Sequence, residues 1–189
     1  MKYLTRIILK RSMGCEKLKD IISEYLTNFD DLLKRDALSI RWGSEKIVIS
    51  SCNPFLMEVL KAFMKRDNRV SILKIISVPI DILYGSGVYY FRAFDVCEYS
   101  SLRHEFECAR ALLDKYFGIE CDMGLEVQKM RVIKRANTMS LDGSILANTP
   151  CGGLIVQYLT FTGIGKNKFC GKGIVRVGKR REEEKSECI

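Results

Sequence analysis

The sequence of 189 residues predicts an α+β fold made of two tandem ferredoxin-like (RRM-like) halves, and three observations carry this prediction. Strand-type alternation and helix-type periodicity follow one another in the order β-α-β-β-α-β, which is the order of the ferredoxin-like unit. The same order begins again after the turn Tyr84-Gly-Ser-Gly87. The length is also sufficient for two small halves that each bury a core.

The first half, residues 1–84, is predicted from the spacing of its apolar residues. Leu4–Leu9 alternates as a strand does, and Cys15–Asp36 carries the apolar stripe of an amphipathic helix. Asn53 and Pro54 indicate a helix start, because asparagine is a good N-cap and proline fits the first helical position. The residues of this second helix expected to face inward are Phe55, Leu56, Val59, Leu60, Phe63 and Met64. The remaining strands are predicted at Leu38–Trp42, Lys46–Ser50 and Val70–Val78.

The second half, residues 88–178, repeats this order of elements. Val88–Phe94 is a strand pattern, and Ser101–Phe117 is a helix pattern. Leu154–Phe161 fits a short buried helix or a strand, since periodicity does not separate the two in such runs, and a helix there completes the second unit. The other strands are predicted at Leu125–Lys134, between Asn137 and Thr149, and at Ile174–Val177, and residues 179–189 are predicted to be a charged tail.

A glycine- and lysine-rich run, Gly163-Ile-Gly-Lys-Asn-Lys-Phe-Cys-Gly-Lys-Gly173, precedes the last strand. Glycine lets main-chain N–H groups approach a ligand closely, and lysine adds mobile positive charge. The spacing fits neither a Walker A loop nor a dinucleotide fingerprint, which needs a glycine where Lys168 stands. We therefore predict a phosphate-gripping loop, in which Gly165→Ala and Lys166→Ala weaken binding of the phosphate ligand with little effect on melting. The alternative is a glycine-rich hairpin with surface lysines.

Positive charge is concentrated in the same region. Eleven basic residues lie between Met123 and Arg181 and only Glu126 and Asp142 oppose them, so this segment carries +9 while the whole chain carries +8. Such a local excess is typical of polyanion binding, and a solvated surface is the alternative. On the strand, we expect Lys129 and Arg131 to face the polyanion, and Met130 and Val132 to be buried. The residues predicted to bind it are Lys129, Arg131, Lys134, Arg135, Gly163, Gly165, Lys166, Lys168, Gly171, Lys172, Gly173 and Arg176.

No metal site, cofactor or membrane segment is expected. The eight cysteines form no C-x-x-C pair and His104 is the only histidine, so a zinc site is not indicated. Most of the cysteines are expected to be small core fillers in a reducing cytoplasm, and Cys170, which lies in the basic loop, is the exception but is also expected to be inert. The most apolar stretch, Ile72–Leu83, is interrupted by Lys74, Pro79 and Asp81, which argues against a membrane span.

The chain resembles the CRISPR-associated RAMP proteins, which combine tandem ferredoxin-like halves with a C-terminal glycine-rich loop. Their loop is commonly G-[IL]-G-x-[KR]-x(3)-G-[FY]-G, followed by a hydrophobic strand. Gly163–Gly173 matches this pattern at all four glycines and has Lys172 where an aromatic residue is usual. Among these proteins the repeat-RNA processing endoribonucleases are the most similar. Ile47–Leu60 resembles their strand-Ser-helix segment, and Ala109–Gly118 resembles a helix of their second half.

This resemblance implies metal-independent cleavage of CRISPR repeat RNA, in which a ribose 2′-hydroxyl attacks the neighbouring phosphate and leaves a 2′,3′-cyclic phosphate and a 5′-hydroxyl. Many family members use a histidine of the first half, which this chain lacks, and His104 is predicted to be exposed on a helix. The resemblance instead indicates Lys10 and Arg11 after the first strand, and Lys17 in the next helix. Tyr25 is a candidate proton relay, although its place on the apolar stripe favours core packing.

Two other functions remain open from the sequence. A non-catalytic RAMP subunit that holds RNA in a CRISPR effector complex is favoured by the missing histidine, and a basic scaffold without an RNA function is the third reading. The expected partners are CRISPR repeat RNA, other CRISPR-associated proteins and a second copy of the chain.

Overall fold

A computed structural model describes residues 2–26, 28, 38–166, 168 and 172–179 of the chain. Both halves have the predicted β-α-β-β-α-β order, and residues 154–161 are helical. The first half contains β1 (Tyr3–Lys10), α1 (Cys15–Tyr25), β2 (Leu38–Trp42), β3 (Lys46–Ser51), α2 (Pro54–Met64), β4 (Ile72–Pro79) and a 3-10 turn at Ile80–Leu83. The second half contains β5 (Gly87–Val96), α3 (Leu102–Phe117), β6 (Leu125–Lys134), β7 (Met139–Ala147), α4 (Pro150–Thr162) and β8 (Ile174–Lys179).

Each half is built on one four-stranded antiparallel sheet. The strand order is β2-β3-β1-β4 in the first sheet and β6-β7-β5-β8 in the second, so each half has its first strand beside its third and fourth. Together with the β-α-β-β-α-β connections, this arrangement is the ferredoxin-like unit. The predicted fold class is therefore confirmed.

Two hydrophobic clusters stabilise the halves, and the second of them also joins the halves to each other. The first cluster packs α1 and α2 on one face of the first sheet. The second cluster packs α3 and α4 on the second sheet, and it takes in Leu4 and Cys52 from the opposite face of the first sheet. Helix α4 is therefore covered on two sides. This explains why Leu154–Phe161 is apolar except at Gln157 and Thr160 and shows only a weak amphipathic period.

The core of the first half differs from the predicted one in α1 and α2. Phe55 and Phe63 were expected to face inward, but they are 74% and 45% exposed, whereas Met57 is fully buried. Phe63 stacks instead on Tyr25, with ring centroids 5.3 Å apart. The helix predicted to reach Asp36 ends at Tyr25, and residues 29–36 lie outside the described residues.

The cysteines include a pair that the sequence analysis did not anticipate. Cys121 and Cys151 form a disulfide, with their Cα atoms 5.4 Å apart, between the loop before β6 and the first turn of α4. The fold brings them together across 30 residues of sequence, a separation that carries no local signal. Cys52 and Cys97 are buried thiols, as expected for core fillers, but Cys108 is exposed. Cys121 lies in the core as expected, although its disulfide with Cys151 was not expected, and the core-filler prediction is wrong for the exposed Cys108.

The two remaining expectations concern membrane crossing and metal binding. None of the described helices combines the length and apolarity that crossing a bilayer requires. Within the described part of the chain, no three His, Cys, Asp or Glu side chains come together as metal ligands would.

Candidate nucleic-acid interface

The face of the first sheet that turns away from α1 and α2 is basic. Residues directly opposite one another in antiparallel strands share a face, so the register places Arg6, Lys10, Arg41, Lys46 and Lys74 on the same side. The four strands contain no aspartate or glutamate. We call these five residues the first-sheet face. Lys10, Lys46 and Lys74 are exposed, whereas Arg6 and Arg41 are partly covered by the second half.

The first-sheet face caps the C-terminal end of α4. Nη2 of Arg6 donates to the carbonyl oxygen of Thr160 at 2.9 Å, and Nη2 of Arg41 donates to the same oxygen. The hydroxyl of Ser50 donates to the carbonyl of Phe161 at 2.8 Å. The last carbonyls of a helix lack partners within it and carry the negative end of its dipole, so these donors stabilise them. The contacts fasten the first half to the segment that leads into the glycine-rich loop.

Arg6 and Arg41 form a concentration of positive charge at this junction. Because both guanidinium groups bind one carbonyl oxygen, they lie side by side. Burial, followed by repulsion from Arg6 and Arg176, lowers the pKa of Arg41 to about 10, and burial lowers the pKa of Arg6. Both remain charged at neutral pH, and the buried Nε atom of each has no hydrogen-bond partner among the described residues. The junction therefore favours anions.

The described part of the glycine-rich loop is folded back on the second half. The N–H of Gly163 donates to the Leu159 carbonyl at 2.8 Å, and that of Gly173 donates to the Asp95 carbonyl at 3.3 Å. The N–H of Gly165 donates at 3.1 Å to the buried carboxylate of Glu105. These three amides are therefore not free to bind phosphate, contrary to the expectation of a cradle lined by glycine N–H groups. Gly171 lies outside the described residues.

Close packing explains why glycine is needed in this loop. Gly165 and Gly173 have φ angles of 71° and 64°, in the left-handed region that glycine adopts without strain. A Cβ atom on Gly165 would lie 2.4 Å from the Cys97 carbonyl oxygen, and one on Gly173 would collide with the carbonyl of Ile164. The glycines shape the loop, and the lysines are left to carry its charge.

The lysines of the loop have different surroundings. Lys166 is exposed and pairs with Glu98 at 2.7 Å. Lys172 is exposed, and Lys168 is half-buried. The carbonyl oxygen of Lys168 accepts a hydrogen bond from the N–H of Ile40 at 3.3 Å, which ties the loop to β2. Lys168 thus connects the described part of the loop to the first sheet.

The exposed face of the second sheet is also basic. The register aligns Arg131, Asp142, Arg92 and Arg176 in one row across all four strands, and Lys129, Ser144, Tyr90 and Gly178 in the next row. We call these two rows, together with Phe94, the second-sheet face. The predicted separation of Lys129 and Arg131 from Met130 and Val132 is confirmed by this register.

Burial along β6 is weaker than predicted. Met130 is half-buried against the core, but Val132 is 46% exposed, so its predicted burial is wrong. The reason is that β6 is an edge strand of its sheet, and α4 packs mainly against β5, β7 and β8. Lys134 and Arg135 are exposed at the end of the β6–β7 hairpin, where Nη1 of Arg135 lies 3.8 Å from Asp95.

Three of the four catalytic candidates are exposed cations of the first half. Lys10 is the last residue of β1 and lies opposite Lys46. Arg11 follows it, and its Nη1 donates to the Gly43 carbonyl at 2.8 Å. Lys17 is exposed in the first turns of α1. Tyr25 is eight residues further along this helix, about 12 Å from Lys17 in rise, so the helix separates these two candidates.

Tyr25 is engaged in a side-chain network at the surface of the first half. Its hydroxyl donates to Oδ2 of Asp67, whose carboxylate pairs with Arg69 at 2.7 Å. Burial and the hydrogen bond to Asp67 raise the pKa of Tyr25 to about 12. A phenol with this pKa is almost entirely protonated at neutral pH and is a poor general base. The geometry favours the packing role of Tyr25 over the proton relay.

His104 is exposed on α3, as the sequence predicts. Its main-chain N–H donates to Oγ of Ser101 at 3.1 Å, and its ring Nε2 lies 3.6 Å from Sγ of Cys108. No carboxylate is hydrogen-bonded to the ring among the described residues, so nothing there orients it as a general base.

Sequence reasoning missed several residues of both faces. Arg6 and Arg41 were not singled out, because the helix end that they cap is more than a hundred residues away. Tyr90, Arg92 and Phe94 were missed as well, although their i, i+2, i+4 spacing is the signal of one face of a strand. Counting charges along the chain did not reveal them, since the sheet register brings β5 beside the basic segments.

The comparisons place this geometry among known folds. No protein-family model and no curated protein sequence matches the chain. The fold matches that of a Cas6 product complex with a TM-score of 0.66 and 12% identity, over 95% of this chain and 100% of that chain. A RAMP protein binding different RNA substrates matches with a TM-score of 0.54 and 9% identity, over 94% and 100%. A Cas6-related protein from Pyrococcus furiosus matches at 0.50 and 10%, over 95% and 99%.

The class defined by these matches is the tandem ferredoxin-like architecture. In this chain a glycine-rich loop precedes the last strand. Within this class, the structural neighbours are Cas6 and RAMP proteins, and they match the chain over nearly its whole length. The predicted resemblance to the RAMP proteins is thus confirmed in the fold.

Proposed function

We propose that this chain is a RAMP-type CRISPR protein that binds repeat RNA and cleaves it without a metal ion. The observation that carries the proposal is the pair of basic sheet faces, on a fold shared over 95% of the chain with a Cas6 product complex. Basic residues concentrated on connected surfaces are the footprint expected of a nucleic-acid binder. The glycine-rich loop contributes its lysines between the two faces.

The proposed RNA contacts follow from exposure and charge. Lys10, Lys46 and Lys74 of the first-sheet face, and Lys129 and Arg131 of the second-sheet face, are exposed. This surface is extended by Lys134 and Arg135 at the hairpin, by Lys166, Lys168 and Lys172 in the loop, and by Arg176 in β8. Gly163, Gly165, Gly171 and Gly173 are proposed to act through the shape of the loop.

The proposed reaction is attack by the RNA's own 2′-hydroxyl on the neighbouring phosphorus, which forms the 2′,3′-cyclic phosphate and breaks the bond to the 5′-oxygen of the next nucleotide. The 2′-hydroxyl loses its proton to solvent, and the departing 5′-oxygen takes a proton from solvent and leaves as a hydroxyl. Lys10, Arg11 and Lys17 are proposed to stabilise the charge that develops on the phosphorane, since a positioned cation lowers the energy of such a transition state. Alignment of the bound RNA would supply a further part of the rate, because it holds the 2′-hydroxyl in line with the phosphate. A low rate is expected without a first-half histidine.

A non-catalytic RNA-binding subunit is the second candidate function. It is favoured by the histidine-free first half and by the engagement of Tyr25 with Asp67, which leaves the candidate site dependent on lysine and arginine. As a subunit, the protein would hold RNA beside other CRISPR-associated proteins or a second copy of itself.

Both candidate functions imply a cytoplasmic location. Disulfides such as Cys121–Cys151 are rare in the cytoplasmic proteins of mesophiles.

Incubation with CRISPR repeat RNA in excess EDTA is expected to give cleavage with a 2′,3′-cyclic phosphate end, because the proposed chemistry needs no metal ion. The product ends are identified by mass spectrometry. Binding without cleavage would support the subunit and overturn the nuclease. A wild-type protein that binds no RNA would contradict both candidates.

RNA binding is expected to weaken steeply with salt. For single-stranded RNA the log–log slope is about −0.7 per neutralised phosphate, so about five contacts give roughly −3.5. The slope is measured by fluorescence anisotropy between low and moderate salt. The double variant Lys129→Ala/Arg131→Ala should make it shallower by about 1.4. The matched control, Arg103→Ala/Arg110→Ala on the exposed surface of α3, should leave it unchanged. A wild-type slope near zero would mean that the basic surface is only solvated.

A further inference from the structure

The second-sheet face carries aromatic rings as well as charge. Tyr90, Arg92 and Phe94 alternate along β5 and so project from the same face of the sheet. Tyr90 is 56% exposed. Phe94 is half-buried, and the guanidinium carbon of Arg176 lies 5.2 Å from the centre of its ring. The face therefore presents two rings, of which one is overlaid by a planar cation.

The surface beside Tyr90 has room for a ligand. Gly178 lies opposite Tyr90 in β8, and a Cβ atom added to Gly178 would meet nothing within 4 Å. A depression of about 480 Å³ is formed there by Tyr90, Arg92, Asp142, Arg176, Val177 and Gly178. This volume is within the range of small-molecule sites, which is about 300–1,000 Å³. The glycine keeps the tyrosine ring open to a partner on the β8 side.

The charge of this face is complementary to a phosphodiester chain. Lys129, Arg131, Arg92 and Arg176 contribute four positive charges to the two rows. All eight residues of the two rows are described, and Asp142 is the one acidic residue among them. Its carboxylate pairs with Arg92 at 2.9 Å. The remaining excess flanks the rings on both sides, on β6 and on β8.

We propose that the second-sheet face is a stacking platform for a single-stranded RNA segment, with one base on the Tyr90 ring, another on the guanidinium plane of Arg176 that covers Phe94, and phosphates beside the remaining cations. Four-stranded sheets of the RRM type bind two or three unpaired bases in this way. The two rings are four residues apart, about 13 Å along β5, so the segment must be splayed rather than continuously stacked. Bases of a duplex are already stacked and are not available to the rings. The inference rests on the proposed RNA-binding function and specifies which part of the RNA this surface takes.

Two RNAs distinguish the platform from general RNA binding. One is a repeat hairpin with a single-stranded flank of about six nucleotides, and the other is the same hairpin with a blunt end. Tyr90→Ala is expected to weaken binding of the flanked hairpin by about 5- to 150-fold, the range measured for loss of one base–aromatic stack. The Tyr90→Ala variant should bind the blunt hairpin as tightly as the wild type does. Tyr90→Phe should retain wild-type affinity for both, because stacking needs the ring and not the hydroxyl.

Phe55→Ala is the matched control, since Phe55 is an aromatic residue with 74% exposure on α2 of the first half. It should change neither affinity. Melting temperatures check that the variants fold, and ultraviolet cross-linking of a bromouridine-substituted flank to wild-type protein should label the β5 peptide.

The outcomes separate this inference from the proposed function. If the wild type binds the flanked hairpin but Tyr90→Ala binds it equally well, or weakens both RNAs alike, the platform is refuted while RNA binding stands. If Tyr90→Ala instead abolishes a wild-type dimer seen by size-exclusion chromatography, the face binds a second copy and the inference is wrong. If the wild type binds neither RNA, the proposed function fails together with the platform.

Discussion

Replacing Gly165 with alanine is expected to lower the free energy of unfolding by about 3 kcal/mol, since a left-handed backbone and an overpacked contact each cost about 1–3 kcal/mol. The φ angle of Gly165 is 71°, and the new Cβ atom would lie 2.4 Å from the carbonyl oxygen of Cys97. Relief of this contact must also disturb the hydrogen bond to Glu105. For a domain of this size the melting temperature should fall by about 6–12 °C. The sequence predicts almost no change in melting for this variant, and the structure contradicts that expectation.

Thermal unfolding followed by circular dichroism measures this effect, and Gly14→Ala is the control. Gly14 has an ordinary φ of −82°, and a Cβ atom there would meet nothing within 4 Å. Gly14 is the N-cap of α1, and alanine is a poorer N-cap than glycine, so its replacement should cost about 1 kcal/mol or less. Lys166→Ala should leave melting unchanged, because its partner Glu98 is equally exposed, and should weaken RNA binding. Equal melting temperatures for Gly165→Ala and Gly14→Ala would show that the loop does not pack as described.

The order of secondary-structure elements could be predicted because its signals are local. Alternation in β1 and the N-cap of α2 are properties of a few neighbouring residues. The helical nature of Leu154–Phe161 was also available from the sequence. Thr149 and Pro150 repeat the cap-and-proline start of α2, and Oγ1 of Thr149 accepts from the N–H of Gly152 at 3.0 Å. The N-cap thus identifies this segment as a helix, although the segment is too apolar for its periodicity to distinguish a helix from a strand.

The errors concern features that depend on packing between distant elements. Phe55 and Phe63 are apolar and at helical spacing, yet the sheet is covered by Leu56, Met57 and Leu60 instead. Val132 is exposed because its strand lies at the sheet edge, which the alternation of one strand does not indicate. Whether a side chain is buried depends on which distant element packs against it, and the residues next to it in sequence do not indicate that element.

The candidate site was predicted in its charge but not in its arrangement. The cations of residues 129–135 and 166–176 were found by counting, whereas the role of the glycines changed once their hydrogen bonds were known. The aromatic rings of β5 became part of the site only through the register with β7 and β8. A strand-by-strand count of residues at i, i+2 and i+4 would have found them, because one face of a strand repeats every two residues.

A single 2′-deoxy substitution in the RNA is expected to abolish cleavage while leaving binding intact. The substituted nucleotide is the one 5′ of the cut, whose 2′-hydroxyl is the proposed nucleophile, and no water-derived nucleophile replaces it in this mechanism. Binding should persist because one hydroxyl contributes little beside several phosphate contacts. The same substitution one nucleotide 3′ of the cut is the control and should be cleaved normally. Cleavage of the first RNA would contradict attack by the 2′-hydroxyl.

The side chains that assist this attack can be assigned with the same assay. His104→Ala should slow cleavage less than about tenfold, whereas loss of a general acid or base costs about 10²–10⁴-fold. The reason is that His104 is exposed on α3, in the opposite half from the candidate cations. Lys10→Ala or Arg11→Ala should cost about 10²-fold or more if these cations stabilise the phosphorane, with RNA affinity reduced much less. Complete loss of cleavage in His104→Ala at unchanged RNA affinity would move the active site to the second half, and Lys10 and Arg11 would then only bind RNA.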